Sequence, residues 1–173
     1  MIATFLQDDL KNELEAILEH FRLRDPDGNP SKVNVFKQFL PIPEADEIPD
    51  TVTDLELEEG TYNARAKQVP FPYILVRVLE GTIENIDGNQ AVDVNLLIGV
   101  VDKDRDNQGY KDVLNIIQKI YERFAKNAIL AHKYECIMPI QWAMQEEESW
   151  PYFFGGMALR FDTTAIRRED PYA

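Results

Sequence analysis

The residues whose spacing most resembles a site for chemistry are three aspartates at alternating positions, Asp102, Asp104 and Asp106. Alternating carboxylates are how an oxygen-ligand calcium loop begins. The pattern then departs from such a loop, because Asn107 stands where a glycine is needed and Val113 stands where a bidentate glutamate is needed. The two basic residues between the aspartates offset part of their charge. The segment therefore favours a charged loop that leads into a helix, and we predict no metal site.

Two histidines and one cysteine are the other candidates for metal or nucleophile chemistry. His20 and His132 belong to neither a His-x-x-x-His nor a Glu-x-x-His pair, which are spacings typical of zinc ligands. Cys136 alternates with Met138 and Ile140, a pattern that favours a buried apolar side chain. A Cys136–His132 dyad stays open on distance along the chain. A single cysteine excludes a disulfide framework within the chain and any cysteine-rich zinc site.

Sequence motifs of catalysis and phosphate binding are lacking. The chain has no Gly-x-Ser-x-Gly nucleophile elbow, and no glycine-rich phosphate loop follows a predicted strand. Gly155-Gly156 interrupts a predicted strand, where such a pair is more typical of a bulge or a close backbone approach. We therefore expect no catalytic residues, no cofactor and no enzyme activity. A small enzyme whose pocket has no recognisable motif stays an alternative.

The overall composition points to one acidic globular domain. The 173 residues include 31 Asp and Glu against 18 Lys and Arg, a formal net charge of −13. A general nucleic-acid binder carries the opposite sign, because neutralising phosphates supplies most of its non-specific affinity. The longest strongly apolar run, Leu96 to Val101, is far shorter than the roughly 20 residues of a membrane-spanning helix. Asp8 and Asp9 stand where a signal peptide is apolar. We expect a protein that is neither secreted nor bound to a membrane.

Eight acids are concentrated in one proline-punctuated stretch that has no Lys or Arg between residues 42 and 61. They are Glu44, Asp46, Glu47, Asp50, Asp54, Glu56, Glu58 and Glu59. The stretch has no helical apolar period, so we predict a long, exposed and mobile loop over residues 41–68. Loops of this length inside a compact domain are usually functional or disordered. The loop is either a solvated insertion or a segment that orders against a partner.

Two amphipathic helices are predicted from apolar residues that recur three and four positions apart. The first covers residues 4–22, with Thr4 and Gln7 as a capping box and the next two aspartates in its first turn. A turn rich in proline and glycine over residues 25–30 ends it. The second helix covers residues 109–126.

Five strands are predicted from runs of β-branched and aromatic residues. They are 33–40, 73–79, 92–100, 134–144 and 152–162. The run 73–79 is typical of a strand that is covered on both faces or central to a sheet, and the Asp-Gly turn at 86–89 predicts that it forms a hairpin with the next strand. Pro139 removes a ladder donor, so the strand 134–144 is predicted to be an edge strand or bulged. Its residues Cys136, Met138, Ile140, Trp142 and Met144 share one side.

These elements predict an α/β protein of the α+β kind, a single domain over residues 1–173. The two helices pack on a mainly antiparallel mixed sheet of about five strands, and residues 163–173 form a charged tail. An aromatic and acidic loop precedes the last strand, and we predict a protein contact there, since Trp and Tyr dominate interface energies. Its candidate residues are Glu146, Glu147, Glu148, Trp150 and Tyr152. In the alternative, Trp150 and the phenylalanines that follow simply cap the core.

Four different segments, taken in their order along the chain, carry a family resemblance. They are Pro72-Tyr73-Ile74-Leu75-Val76-Arg77, Leu97-Ile98-Gly99-Val100 with Asp102, Gly109-Tyr110 with Asp112, and Trp150-Pro151-Tyr152-Phe153-Phe154-Gly155. Together they resemble the tail terminator (tail completion) proteins of long-tailed bacteriophages, over about residues 69–170. The acidic loop has no counterpart in that resemblance.

The resemblance implies a structural virion protein that is made in the host cytoplasm and resides in the tail or neck of the virion. It implies a ring, a hexamer on the tail, that caps the tail tube, stops its polymerisation and joins the tail to the head–tail connector protein. DNA would pass through the ring without being tightly bound, because acidic walls repel phosphate. The implied partners are copies of the chain, the tube protein and the connector protein.

A ring needs two different contact patches on each subunit. We expect the edge strand with Pro139 and the loop 146–152 to form one patch. The hairpin tip, with Asp87, Gly88 and Asn89, is the candidate for the other. The acidic composition also allows a DNA-mimic inhibitor, but eight acids in one proline-broken loop argue against it, since a mimic needs carboxylates spaced along a rigid face.

Overall fold

The fold is a twisted sheet with two helices packed on one of its faces. The computed structural model describes residues 2–42, 69–85 and 88–163. Its helices are α1 (Ile2–Ile17) and α2 (Tyr110–Lys126). Its strands are β1 (Leu23–Arg24), β2 (Pro30–Ser31), β3 (Asn34–Lys37), β4 (Tyr73–Ile83), β5 (Gln90–Val101), β6 (Ile129–Leu130), β7 (Tyr134–Met144) and β8 (Tyr152–Thr163).

The main sheet has six strands in the order β3-β4-β5-β8-β7-β6, and β1 and β2 form a separate antiparallel pair. Within the main sheet only the short β3 is parallel to its neighbour, β4. The predicted α+β class, with helices on a mainly antiparallel mixed sheet, is confirmed. The hairpin of β4 and β5 is also confirmed, and α2 and β7 match their predicted ranges to within one residue. The two-residue strands are too short to leave a pattern in the sequence.

One hydrophobic core lies between the helices and the sheet. Alternate residues of β5 point into it and are almost fully buried: Val92, Val94, Leu96, Ile98 and Val100. Met157, Leu159 and Phe161 of β8 pair with three of these residues and are also buried. The apolar stripes of α1 and α2 cover this face. Burial of a stripe and of alternating strand positions is the arrangement that the two periodicities predict.

A smaller aromatic cluster lies on the opposite face of the sheet. The Phe71 ring lies 5.1 Å from the rings of both Tyr73 and Tyr152. Leu75 is buried in the same cluster, so the start of β4 is covered on both faces, as its sequence predicts. That cover ends before Leu79, which is 53% exposed. The prediction that the whole run 73–79 is covered is therefore wrong at its last residue.

The first helix begins earlier and ends earlier than the sequence predicts. It starts at Ile2, which packs against the core, so that Thr4 lies inside the helix and its first turn holds no acidic residue. The Gln7 side chain donates to the backbone carbonyl oxygen of Val76 at 2.8 Å, a tertiary contact. The capping box and the acidic first turn are therefore wrong, and the helix ends at Ile17 where residue 22 is predicted.

Three predicted strands differ clearly from the structure in extent or in the side they present. The predicted strand 73–79 continues to Ile83 in β4. The predicted strand 33–40 shortens to β3, because Gln38 has a φ of 65° and turns the chain away. The pairing of β7 with β8 shifts by two residues between Ile137 and Gln141. Met138 and Trp142 are exposed, whereas Cys136 is buried. The predicted common side of β7 is thus broken, although its prediction as a bulged edge strand is confirmed.

Other segments predicted from the sequence lie wholly or partly outside the described residues. Most of the loop 41–68, with its eight acids, and residues 164–173 of the predicted tail are among these. Thr163, the first residue of that predicted tail, belongs to β8 and is buried. Among the residues that the structure does describe, no helix is both long enough and apolar enough to span a membrane.

Candidate protein-protein interface

Two loops leave the same end of the sheet and contact each other there. β5 and β8 are paired up to Val101 and Tyr152, so the chain before β8 runs beside the chain after β5. We call residues 102–108 and 145–151 together the loop surface. The Asp102 backbone N–H donates to the Pro151 carbonyl oxygen at 2.8 Å, and the Asn107 side-chain amide donates to a Glu148 carboxylate oxygen at 3.0 Å. These bonds make one surface of two loops.

Trp150 is the exposed aromatic side chain of the loop surface. Its indole Nε1–H donates to the Asp104 carbonyl oxygen at 3.2 Å, while 46% of its surface remains exposed. An aromatic ring that is held in place but still exposed is the kind of residue that anchors protein contacts. Tyr152 and Phe154 pack with Phe71 in the aromatic cluster, and Phe153 packs against the main core. Of the aromatic residues from 150 to 154, Trp150 is thus the exposed one, and the others cap the core.

The three aspartates of the first loop shape its backbone. Asp102 accepts a hydrogen bond from the backbone N–H of Asp104 at 3.0 Å, and Asp106 accepts one from that of Gln108 at 3.2 Å. Asp104 also pairs with Arg24 at 3.2 Å. Within residues 2–42, 69–85 and 88–163, no group of three or more His, Cys, Asp or Glu side chains is placed to hold a metal ion.

The loop surface carries an excess of negative charge. Glu146, Glu147 and Glu148 are all exposed, beside the three aspartates of the other loop. Burial, with the nearby charge of Asp102, raises the pKa of the Asp112 carboxyl at the start of α2. Burial, which disfavours the charged form of the carboxyl, is the larger of the two causes.

The hairpin tip lies at the other end of the sheet from the loop surface. The Gly88 backbone N–H donates to the Asn85 carbonyl oxygen at 3.0 Å, which closes the turn, and Asn89 leads into β5. Asp87 lies outside the described residues. Since β5 has 12 residues, the tip and the loop surface are roughly 35 Å apart at about 3.3 Å per residue. The two candidate patches therefore do not form one site.

The cysteine and the histidines show no sign of a catalytic dyad. Cys136 is buried, and burial raises the pKa of its thiol to about 11. The thiolate is the reactive form of cysteine, so this side chain has the character of a buried apolar group. His20 and His132 are both exposed.

The residues behind the family resemblance meet next to the loop surface. A Cβ built on Gly99 would lie 2.6 Å from the ring of Tyr73, and one on Gly109 would lie 2.5 Å from the ring of Phe153. The Gly109 position is also 2.7 Å from the Cβ of Asp102. Real Cβ atoms do not approach so closely, so these glycines let the four segments pack into one unit.

No family model and no curated protein sequence matches the chain.

Sequence reasoning predicted β7 as an edge strand, but it missed the exposed apolar side chains on β7 and at the end of β4. Met138 and Trp142 on β7, and Leu79 and Ile83 on β4, are more than half exposed. The run from Ile137 to Gln145 has no charged residue. Because this run lies on a predicted edge strand, it is the signal that would have indicated exposed apolar side chains on β7.

Proposed function

We propose that the protein is a structural virion protein of the tail-terminator type. It forms a ring that caps the tail tube, stops its polymerisation and joins it to the head–tail connector. The observation that carries this proposal is the close packing of the four resembling segments around Gly99 and Gly109. These segments resemble the family and also pack against each other. Such similarity supports a shared architecture more strongly than similarity at residues that do not contact each other.

The position of the contact surfaces supports an assembly role. A subunit of a ring contacts two neighbours through different patches and can contact further proteins above and below. The loop surface, with exposed Trp150, and the hairpin tip lie at opposite ends of β5. The loop surface directly follows β7 along the chain, so it can contribute to a contact between subunits, whereas the hairpin tip at the other end can contact a protein above or below the ring.

Electron microscopy of the purified protein, alone and mixed with phage tail tubes, tests the proposal. We expect annular particles and tube ends closed by a ring of added density. Tubes incubated without the protein are the control and should keep open ends that continue to accept tube subunits. Monomers alone, together with bare tube ends after mixing, would contradict the proposed function.

A second prediction concerns DNA. A protein with a net charge of −13 repels phosphates and releases few counterions on contact with a duplex. We expect no gel shift of double-stranded DNA, even at low salt, where such binding is strongest. Tight, salt-sensitive binding would count against a channel through which DNA passes. Displacement of DNA from a basic DNA-binding protein would instead favour a DNA-mimic inhibitor.

A further inference from the structure

The outer side of β7 is a free strand edge over most of its length. β6 pairs only with Tyr134 and Glu135, and the Cys136 backbone N–H donates to the Ala128 carbonyl oxygen at 2.8 Å. From Ile137 to Met144, no other strand of the described residues pairs on that side. We call residues 137–144 the β7 edge.

The second half of the β7 edge lacks the usual protection against association. Exposed edges are commonly protected by charged residues, prolines or bulges. Pro139 and the register shift protect the first half, but Gln141 to Met144 pair regularly with β8. The chain is 28% charged, yet the nine residues from Ile137 to Gln145 carry no charge. Met138 and Trp142 are 55% and 57% exposed. Such an edge is suited to pairing with another strand.

A second free edge lies on the far side of the sheet, at the end of β4. β3 covers β4 up to Val76. The Gln38 side chain then acts as one more step of the ladder, accepting from the Val78 N–H at 3.0 Å and donating to the Val78 carbonyl oxygen at 2.9 Å. Beyond it, residues 79–83 face β5 on one side, and no strand of the described residues pairs with them on the other side. We call residues 79–83 the β4 edge. Leu79 and Ile83 there are 53% and 62% exposed.

The two edges match in direction. β4 is antiparallel to β5, β5 to β8 and β8 to β7, so β4 and β7 run in opposite directions. A second copy placed beside the first in the same orientation therefore offers its β4 edge antiparallel to the β7 edge, which is the more stable pairing. Trp142 lies in the regularly paired half of β7, and Leu79 lies at the register shift of β4 between Val78 and Glu80. Pairing that places Trp142 opposite Leu79 brings the exposed apolar side chains of the two edges together.

The charges at one end of the two edges are complementary in this arrangement. The exposed acids from Glu146 onward follow the β7 edge. Lys37, which is exposed and pairs with Asp8 of its own chain, lies at the end of β3, next to the β4 edge. With Trp142 opposite Leu79, antiparallel pairing brings Glu146 toward Lys37 of the next copy. Opposite signs at this end favour this partner and this direction.

We propose that the β7 edge of one copy pairs antiparallel with the β4 edge of the next, so that one sheet continues from subunit to subunit. The occupant of the β7 edge is thus a second copy of this chain. The inference rests on the proposed ring and names the surfaces that hold it together. Because the two edges differ, the contact repeats from copy to copy, and it gives a ring when the rotation between neighbours closes.

Disulfide trapping tests this pairing. The variant carries Leu79→Cys and Trp142→Cys, with Cys136→Ala to remove the native thiol. Within one copy, β4 and β7 are three strand spacings apart, about 14 Å, which is too far for a disulfide that needs Cα atoms within roughly 7 Å. Oxidation should therefore give only bonds between copies, seen as a ladder from dimer upward on a non-reducing gel.

In the control variant, the second cysteine is placed on a helix, at a position of similar exposure, and Trp142 is left unchanged. Tyr121 lies on α2 and is 44% exposed, so Leu79→Cys with Tyr121→Cys, in the same Cys136→Ala background, should give no ladder. Circular dichroism and thermal melting check that each variant is folded. Rings that form without a ladder from the Leu79–Trp142 pair would overturn the edge pairing alone. A wild-type chain that stays monomeric both in solution and on tail tubes would overturn the proposed function as well.

Discussion

Replacing Trp150 by alanine is expected to weaken assembly about 30-fold or more while leaving the fold almost as stable. Loss of a tryptophan that anchors an interface costs at least about 2 kcal/mol of binding free energy. The free subunit loses little, because Trp150 is half exposed and its one hydrogen bond, to the Asp104 carbonyl oxygen, lies at the surface. We expect the free energy of unfolding to fall by no more than about 1 kcal/mol.

Sedimentation equilibrium and thermal melting of the same samples separate the two effects. Tyr121→Ala is the matched control, since Tyr121 is also an exposed aromatic residue but lies on α2. It should change neither assembly nor melting by a comparable amount. If Trp150→Ala lowered stability and assembly equally, Trp150 would have a core role and the loop surface would lose its anchor.

Replacing Gly155 by alanine should destabilise the fold by about 1 to 3 kcal/mol, because it overpacks the contact between α2 and the sheet. A Cβ at this position would lie 2.7 Å from the Cγ1 of Val113 and 3.1 Å from the sulfur of Met144. Val113 is fully buried on α2, so it cannot move away without shifting the helix. The melting temperature should fall by about 2 to 4 °C for each kcal/mol lost.

The adjacent glycine provides the control for this prediction. Gly156 points to the opposite face of the strand, and a Cβ there would meet only the Leu96 carbonyl oxygen at 3.3 Å and the Leu97 side chain at 3.7 Å. Gly156→Ala should change stability by less than about 1 kcal/mol, since reduced freedom of the unfolded chain offsets the tighter contact. Equal melting of the two variants would show that α2 does not sit tightly against Gly155.

The elements that the sequence predicts well are those whose pattern is a local property of the chain. The alternation from Val92 to Val100 predicts β5, and the apolar stripe from Val113 to Phe124 predicts α2. Each side-chain direction there follows from the backbone geometry of its own element. The α+β class follows from their order along the chain.

The elements predicted poorly are those whose limits depend on contacts with distant residues. The start of α1 is fixed by packing of Ile2 on the core, and Gln7, assigned to a cap, bonds to β4. The parallel pairing of β3 with β4 joins segments that are far apart in the chain. Such pairings leave no local signal.

For the candidate interface, the sequence by itself determined that Trp150 stands among acids, that Pro139 interrupts an edge strand and that the chain carries a large negative charge. Only the tertiary structure decided that Trp150 is exposed while Tyr152 is packed, and that Met138, Trp142, Leu79 and Ile83 lie on two free edges. The physical reason is that a residue's type and spacing are local, whereas its exposure depends on which strand or helix lies beside it. An apolar side chain looks the same in a sequence whether its neighbour comes from the same copy or from the next.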